Sequence, residues 1–371
     1  MKKALIALIF ALTFTTVHAE GITLENAEVS NADKSTELLQ YSQDYNKYIN
    51  HPYGYEIVIS NNLKLNEDIV SVKSRFESDD LVVEVFYDNF YNTINSHTTY
   101  LNYGNRGILK NPEFEITNEY NHNFNGFSGR ITLYERRKIK TDEPDRNYYG
   151  TITFARNTNE VITVFMKSST PLYIEKIMPE FKITDKSEVL KKDVVFHPEP
   201  KNFDEKTQEF YNKYFIDNEK VDFGIFEPSF PLYDYRLAQI ENMLDYNFPV
   251  ALMYNNFSLP FKTAYMNNAK ESGKVVEYTL YTTDISDGME KDITLDILGG
   301  KYDAYLDSLA QNFNEYDYPV LFRLNNEMNG EWVLYSSHLV GKDTDLFIEC
   351  WKYIYDKFEA HGVDNLIWVW N

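Results

Sequence analysis

From about residue 220 onward the chain alternates short, continuously apolar runs with longer amphipathic stretches, and this alternation limits the folds open to it. The apolar runs are Asp222–Phe226, Pro249–Tyr254, Val275–Tyr281, Val320–Leu324 and Leu366–Trp370. They are too continuous for strands with one wet face, so they read as five parallel strands joined by crossover helices. Between the third and fourth, Tyr302, Tyr305, Leu306, Leu309 and Phe313 recur at helical spacing and give one apolar face. Between the fourth and fifth, Leu346, Cys350, Ile354 and Phe358 form an i, i+4 stripe, with Asp343 as N-cap and Gly362 just past the end.

Five parallel strands suit either an open doubly wound sheet or a barrel. Nucleotide-binding versions of the open sheet need a glycine-rich turn after the first strand, where backbone amides meet a pyrophosphate. Here that turn is Glu227, Pro228, Ser229, Phe230 and Pro231, which has no glycine. The expected fold class is therefore α/β, a (β/α)8 (TIM) barrel of which about five β/α units are present. Barrel sites are assembled from loops at the C-terminal strand ends.

A change in character falls near residues 190 to 210, where Lys191, Lys192 and Asp193 lead into His197, Pro198, Glu199 and Pro200. This predicts a boundary between an accessory domain at 20–200 and the barrel at 205–371. Within the first, Asp33 to Ile49 reads as a helix with Leu38, Tyr41, Tyr45 and Tyr48 on one face. Strand patterns follow at Tyr55–Ser60, Leu81–Tyr87, Phe127–Tyr134, Tyr148–Ala155 and Val161–Lys167, which predicts an α+β domain with an antiparallel sheet. Its many Tyr and Asn residues suit strands and loops, or equally a sugar-binding face.

The first 19 residues, with Lys2, Lys3, an apolar run Ala4–Phe14 and a small residue at Ala19, have the form of a secretory signal peptide cut after Ala19. A secreted, extracellular location is expected, and no later segment is apolar enough for a membrane helix. Losing two lysines with the leader takes the formal charge from −21 to −23, which repels nucleic acid and anionic membrane surfaces. Cys350 is the only cysteine, so neither an internal disulfide nor a cysteine metal site can form, and its place on a helix face reads as buried. No pair of His has metal-ligand spacing, and Asp343, Thr344 and Asp345 read as a helix start, so no metal and no cofactor are expected.

The most informative stretch is FRLNNEMNGEW, Phe322 to Trp332, at the end of the fourth strand. Glycoside hydrolysis needs a carboxylic acid at the leaving oxygen and a second carboxylate near the anomeric carbon. Glu327 just beyond a barrel strand meets the first need. Asn326 is placed to hydrogen-bond a sugar hydroxyl, and Trp332 offers a flat face for a pyranose ring. Read locally, Asn329 and Gly330 suit a hairpin turn with Glu327 merely solvated, but the helices on either side favour a βαβ unit. Alternation puts Arg323, Asn325 and Glu327 on one face, where Arg323 either keeps a carboxylate ionised or pairs with an acid of a neighbouring strand.

Gly300 to Leu306, then FRLNNEMNGEW, then IWVWN resemble glycoside hydrolase family 26, best known for secreted β-mannanases, over about residues 205 to 371. The resemblance implies that Glu327 is the general acid/base and that Trp332 lines the sugar subsite. The family usually has His before that Glu, where this chain has Asn326, the residue of the wider clan of retaining barrels. The family's nucleophile is a Glu ending the seventh strand, and no residue here matches it. The expectation is thus a chain incomplete at its C-terminus and inactive alone. Glu227 and Asp284 follow the first and third strands but not where the family places its nucleophile.

The expected activity is endo-acting retaining hydrolysis of a polysaccharide, with β-1,4-mannan first and mixed-linkage β-glucan or β-1,3-xylan as alternatives within the family. From another class comes a non-catalytic polysaccharide-binding protein with a decayed barrel. The oligomeric state is not legible.

Overall fold

The computed structural model describes residues 35–66, 73–91, 96–187, 201–217 and 220–370. The signal-peptide expectation and most of the predicted boundary lie outside these residues. The chain divides into two compact units, one from residues 201–337 and 343–370, the other from 35–187 with 338–342.

The N-terminal unit is built on two antiparallel sheets. Four strands run in the order β1 (Thr36–Gln40), β2 (Tyr45–Asn50), β3 (Tyr55–Ser60) and β11 (Glu180–Ile183). Seven more form the second sheet: β4 (Lys64–Asn66), β5 (Ser74–Glu77), β6 (Leu81–Asn89), β10 (Glu160–Ser168), β9 (Tyr148–Ala155), β8 (Phe127–Arg136) and β7 (Phe114–Phe124). Tyr48, Tyr55, Ile57 and Phe181 from the first sheet pack against Phe76, Val83, Phe124, Phe154 and Val164 from the second. The helices α1 (His97–Lys110) and α2 (Ile174–Ile177) complete the α+β unit, which also holds residues 338–342 through Tyr134 Oη donating to Gly341 O at 2.7 Å.

The helix expected over Asp33 to Ile49 is not formed, and its described residues make the β1–β2 hairpin instead. Tyr48 is fully buried between Tyr55 and Phe76, with ring centroids 6.2 and 5.1 Å away. Leu38 and Tyr41 stay exposed. A helix would have buried all four apolar residues on one face, whereas the strand period separates Tyr45 from Tyr48.

In the C-terminal unit five parallel strands pair in sequence order: β12 (Gly224–Ile225), β13 (Val250–Asn256), β14 (Val275–Tyr281), β17 (Val320–Leu324) and β18 (Leu366–Val369). A two-stranded ribbon, β15 (Thr283–Asp284) with β16 (Lys291–Asp292), follows the third. The segments between carry α4 (Tyr235–Leu244), α5 (Thr263–Glu271), α6 (Thr294–Leu298), α7 (Asp303–Tyr316) and α8 (Thr344–Ala360). Asp343 caps α8 by accepting from Asp345 N, and Gly362 beyond it has φ 66°. Among the described residues no helix is long and apolar enough to cross a membrane.

One sheet face carries the large core. Leu237 of α4, Met266 of α5, Phe313 of α7, and Ile354 and Phe358 of α8 cluster with Met253, Tyr278, Phe322 and Leu366 of the strands. Cys350 is buried there, and burial pushes its thiol up. On the opposite face, at the N-terminal strand ends, Val275, Leu321 and Ile367 meet Phe203, Phe210, Tyr211 and Phe215 of α3 (Glu205–Tyr211), its preceding residues and the π-helical turn after it. The four long crossover helices therefore share one side, which is single winding, not the double winding of an open nucleotide-binding sheet.

Phe322 is fully buried, with ring centroids 5.6 Å from Phe313 and 4.7 Å from Trp368. Phe322→Ala should destabilise this unit by about 3–5 kcal/mol. The measurement is the urea midpoint of the transition that carries the unit's tryptophan fluorescence, and a loss below about 1 kcal/mol would contradict this packing.

Candidate active site

Every residue of β17 is buried, so its C-terminal end is a fixed point from which the next side chains project. Asn325 extends the pairing by one step, its N–H donating to Leu280 O at 2.8 Å. Its side chain turns onto the end of β14, with Oδ1 accepting from Thr282 N at 2.8 Å and Nδ2 donating to Thr282 Oγ1 at 3.0 Å. Asn325 and Glu327 both have left-handed backbone, φ 61° and 49°. Asn takes that region readily, whereas Glu pays a steric penalty, so the surrounding bonds must hold it. Gly330 N donates to Glu327 O at 2.7 Å, closing a turn in place of the hairpin that Asn329 and Gly330 could also suit.

Asn326 is clamped by Tyr335, whose hydroxyl lies 2.8 Å from both its backbone O and its Oδ1. The amide oxygen is thereby engaged, which leaves Nδ2 as the side-chain donor for a ligand. Trp332 Nε1 donates to Glu327 Oε2 at 2.9 Å while the residue stays 69% exposed. Glu327 itself is half-buried. The proposed proton donor, hydroxyl contact and stacking surface thus occur on one short loop at the C-terminal end of the fourth strand.

Arg323 lies beneath them, 6% exposed, with Nη1 3.0 Å from Oε1 of the buried Glu277 on β14 and Nε donating to Thr279 Oγ1 at 2.9 Å. Pairing with a neighbouring strand's acid is thus what the structure contains. Burial raises the Glu277 carboxyl, and Arg323 opposes that rise. The guanidinium also lies over the Tyr254 ring at 5.9 Å.

Composition and motif did not single out the aromatic row at these strand ends. Phe226 meets Tyr254 edge-on at 5.1 Å, Tyr254 stacks on Tyr281 at 5.4 Å, and Tyr281 stacks on Tyr335 at 6.1 Å. Tyr281 could have been found from register, being the residue after the Leu280–Leu324 pair. Tyr335 sits in a loop with no periodic signal. Burial, with the nearby Glu327 charge adding to it, pushes the Tyr335 phenol up to about 12, and burial, with the neighbouring Tyr254 adding to it, raises Tyr281.

Glu227 and Asp284 are committed to local structure. Glu227 accepts from Ser229 N at 2.9 Å and Phe230 N at 3.0 Å, and also from Ser229 Oγ. Asp284 accepts from Ser258 Oγ at 2.9 Å, Ser286 N at 2.7 Å and Tyr302 Oη at 2.6 Å. Among the described residues no three His, Cys, Asp or Glu side chains come together as ligands for a metal ion.

Residues 254–371 match the profile of glycosyl hydrolase family 26. The match covers about the C-terminal third of the chain. Its span takes in β14, β17, β18 and the whole Glu327 loop. Endoglucanase H of Acetivibrio thermocellus is 37% identical over 82 residues, or 21% of this chain and 9% of that protein. The chain thus spans less than a tenth of that relative's length. Two solved structures are similar at 15% identity. A β-mannanase from a symbiotic protist of the termite Reticulitermes speratus, complexed with gluco-manno-oligosaccharide, aligns over 46% of this chain and 62% of its own, TM-score 0.35. The Podospora anserina GH26-CBM35 β-(1,4)-mannanase aligns over 91% and 72%, TM-score 0.37.

Hydrogen bonds from Ser286 and Tyr302 hold the Asp284 carboxyl well below the usual carboxylate range. A depressed carboxyl contributes stability that is present above its unfolded value and is lost as pH falls through its folded value. Asp284→Asn should therefore cost about 1–3 kcal/mol at pH 7. The deficit should shrink below about pH 4. Equal denaturation midpoints of variant and parent at pH 7 would refute a structural role for the charge.

Proposed function

We propose that the protein acts as a secreted, endo-acting retaining hydrolase of β-1,4-mannan, with Glu327 as general acid/base. The observation that carries this reading is the Trp332 indole N–H directed onto the Glu327 carboxylate at the end of a parallel strand, within the family 26 segment. Glu327 first protonates the leaving sugar oxygen and then removes a proton from the attacking water. Asn326 Nδ2 meets a sugar hydroxyl, and the exposed ring of Trp332 takes an apolar pyranose face. The sequential, singly wound sheet supports reading these strands as consecutive units of a (β/α)8 barrel, whose sites lie at this end. We assign the nucleophile to no described residue, since Glu227 gives Oε2 to its own turn and Oε1 to Arg236, and Asp284 accepts from Ser258, Ser286 and Tyr302. The form of the first 19 residues supports export.

A specific observation favours a second polymer. Asn326 stands where mannanases of the family usually carry His, and the relative with 37% identity is named an endoglucanase. Mixed-linkage β-glucan is therefore the alternative substrate. Reducing-sugar release by the full-length protein from mannan, mixed-linkage glucan and β-1,3-xylan decides between them, and release from none of the three would overturn the reading.

Glu327→Ala in the full-length protein should lower polysaccharide turnover by about 10²–10⁴-fold. Aryl glycosides with good leaving groups should still give a burst of phenol, since their departure needs no proton. Undiminished polysaccharide turnover would sink the assignment. Trp332→Ala should reduce turnover of oligosaccharides, and unchanged kinetics would leave the indole a purely structural part.

A further inference from the structure

Gly330 occupies a position that a side chain cannot share. A β-carbon there would fall 2.6 Å from Trp332 Cε2, 2.7 Å from Trp332 Cζ2 and 3.0 Å from Glu327 O. The first two distances are shorter than any β-carbon tolerates. Backbone conformation does not require the glycine, because Gly330 is not among the residues with positive φ. What requires it is the indole. The ring packs on the bare backbone at Cε2, which is bonded to Nε1, and at Cζ2 next to it, and from there Nε1 reaches Glu327 Oε2 at 2.9 Å.

We propose that Gly330 is a positioning residue of this site. Its missing side chain lets Trp332 fold back over the 327–330 turn, so that one indole both pins Glu327 Oε2 and presents its exposed ring to the sugar. The inference rests on the reading of Glu327 as proton donor, and it adds two things to that reading. The N–H occupies Oε2, which leaves Oε1 to carry the transferable proton. The stacking surface and the proton donor are also tied together by a direct bond, so a sugar seated on the ring has a fixed distance to the acid. Any larger residue at 330 separates the two.

The test is solvent exchange of the Trp332 indole N–H in this chain, followed by NMR with the resonance assigned by Trp332→Phe. Glu327→Ala removes the acceptor and should speed that exchange by about tenfold. Gly330→Ala should give a similar increase with Glu327 intact, because the ring is displaced from the carboxylate. In the Glu327→Ala background, Gly330→Ala should add little further, since the bond is already lost. A Gly330→Ala chain whose indole N–H exchanges like the parent's, or one whose increase persists in the Glu327→Ala background, overturns the proposal. If Gly330→Ala does not fold, equal exchange in the parent and in Glu327→Ala overturns the bond on which the proposal stands. Failure of the Glu327 assignment shows separately, as polysaccharide turnover that survives Glu327→Ala in the full-length protein.

Discussion

The constraint on which the C-terminal unit depends is the burial of four helix faces on a single side of a parallel sheet. Phe313 and Phe358 each stand against Phe322, so α7 and α8 are anchored to the same strand from one side. Parallel strands all end at the same edge, and sequential order brings each new loop next to the last. Chemistry on a loop after β17 is thereby placed beside the ends of β14 and β13 without any long-range tether. The Phe226, Tyr254, Tyr281 and Tyr335 row follows from this arrangement, since Phe226 lies just past β12, Tyr254 near the end of β13 and Tyr281 at the end of β14.

The face opposite those helices is where the sheet stops being a simple core. Near its N-terminal ends it is apolar, with Leu321 and Ile367 under the aromatic residues around α3. Higher on the same face come Glu277, Thr279 and Arg323, which place a buried ion pair one register step below Asn325 and Glu327. A buried pair gives little net stability against an apolar alternative, because desolvation offsets most of the attraction. The pair sits directly beneath the Glu327 loop, with the guanidinium over the Tyr254 ring.

Legibility tracked burial. Val275–Tyr281 and Val320–Leu324 were read to their end residues, because nearly every position in them is buried and the apolar run has no gaps. The first strand is a two-residue edge, Gly224–Ile225, where partial exposure blurs the limits. In the N-terminal unit β7 went unread because its outward positions are Glu, Asn and His, and only Phe114 and Phe124 are buried. The α1 helix went unread because Gly104 and Gly107 interrupt its sequence. Gly107 is needed there, as a β-carbon would fall 1.9 Å from His338 O. Glu327, Asn326 and Trp332 were readable from residue type and spacing. That Asn326 gives its oxygen to Tyr335, and that Arg323 answers Glu277 and not the site above, could come only from the fold.

The left-handed backbone at Glu327 joins these points. An acid on an ideal strand extension would project on the same face as Arg323, four residues along. Two left-handed residues, Asn325 and Glu327, instead lift the carboxylate off the strand and deliver it to the Trp332 N–H. The strain of that geometry is about 1–3 kcal/mol per residue where a side chain tolerates it poorly. It is sustained by the Asn325 bonds to Thr282, the Tyr335 clamp on Asn326 and the turn closed at Gly330. The role proposed for Glu327 requires a carboxyl not paired to a permanent cation, and the turn chemistry of this loop is what separates the two.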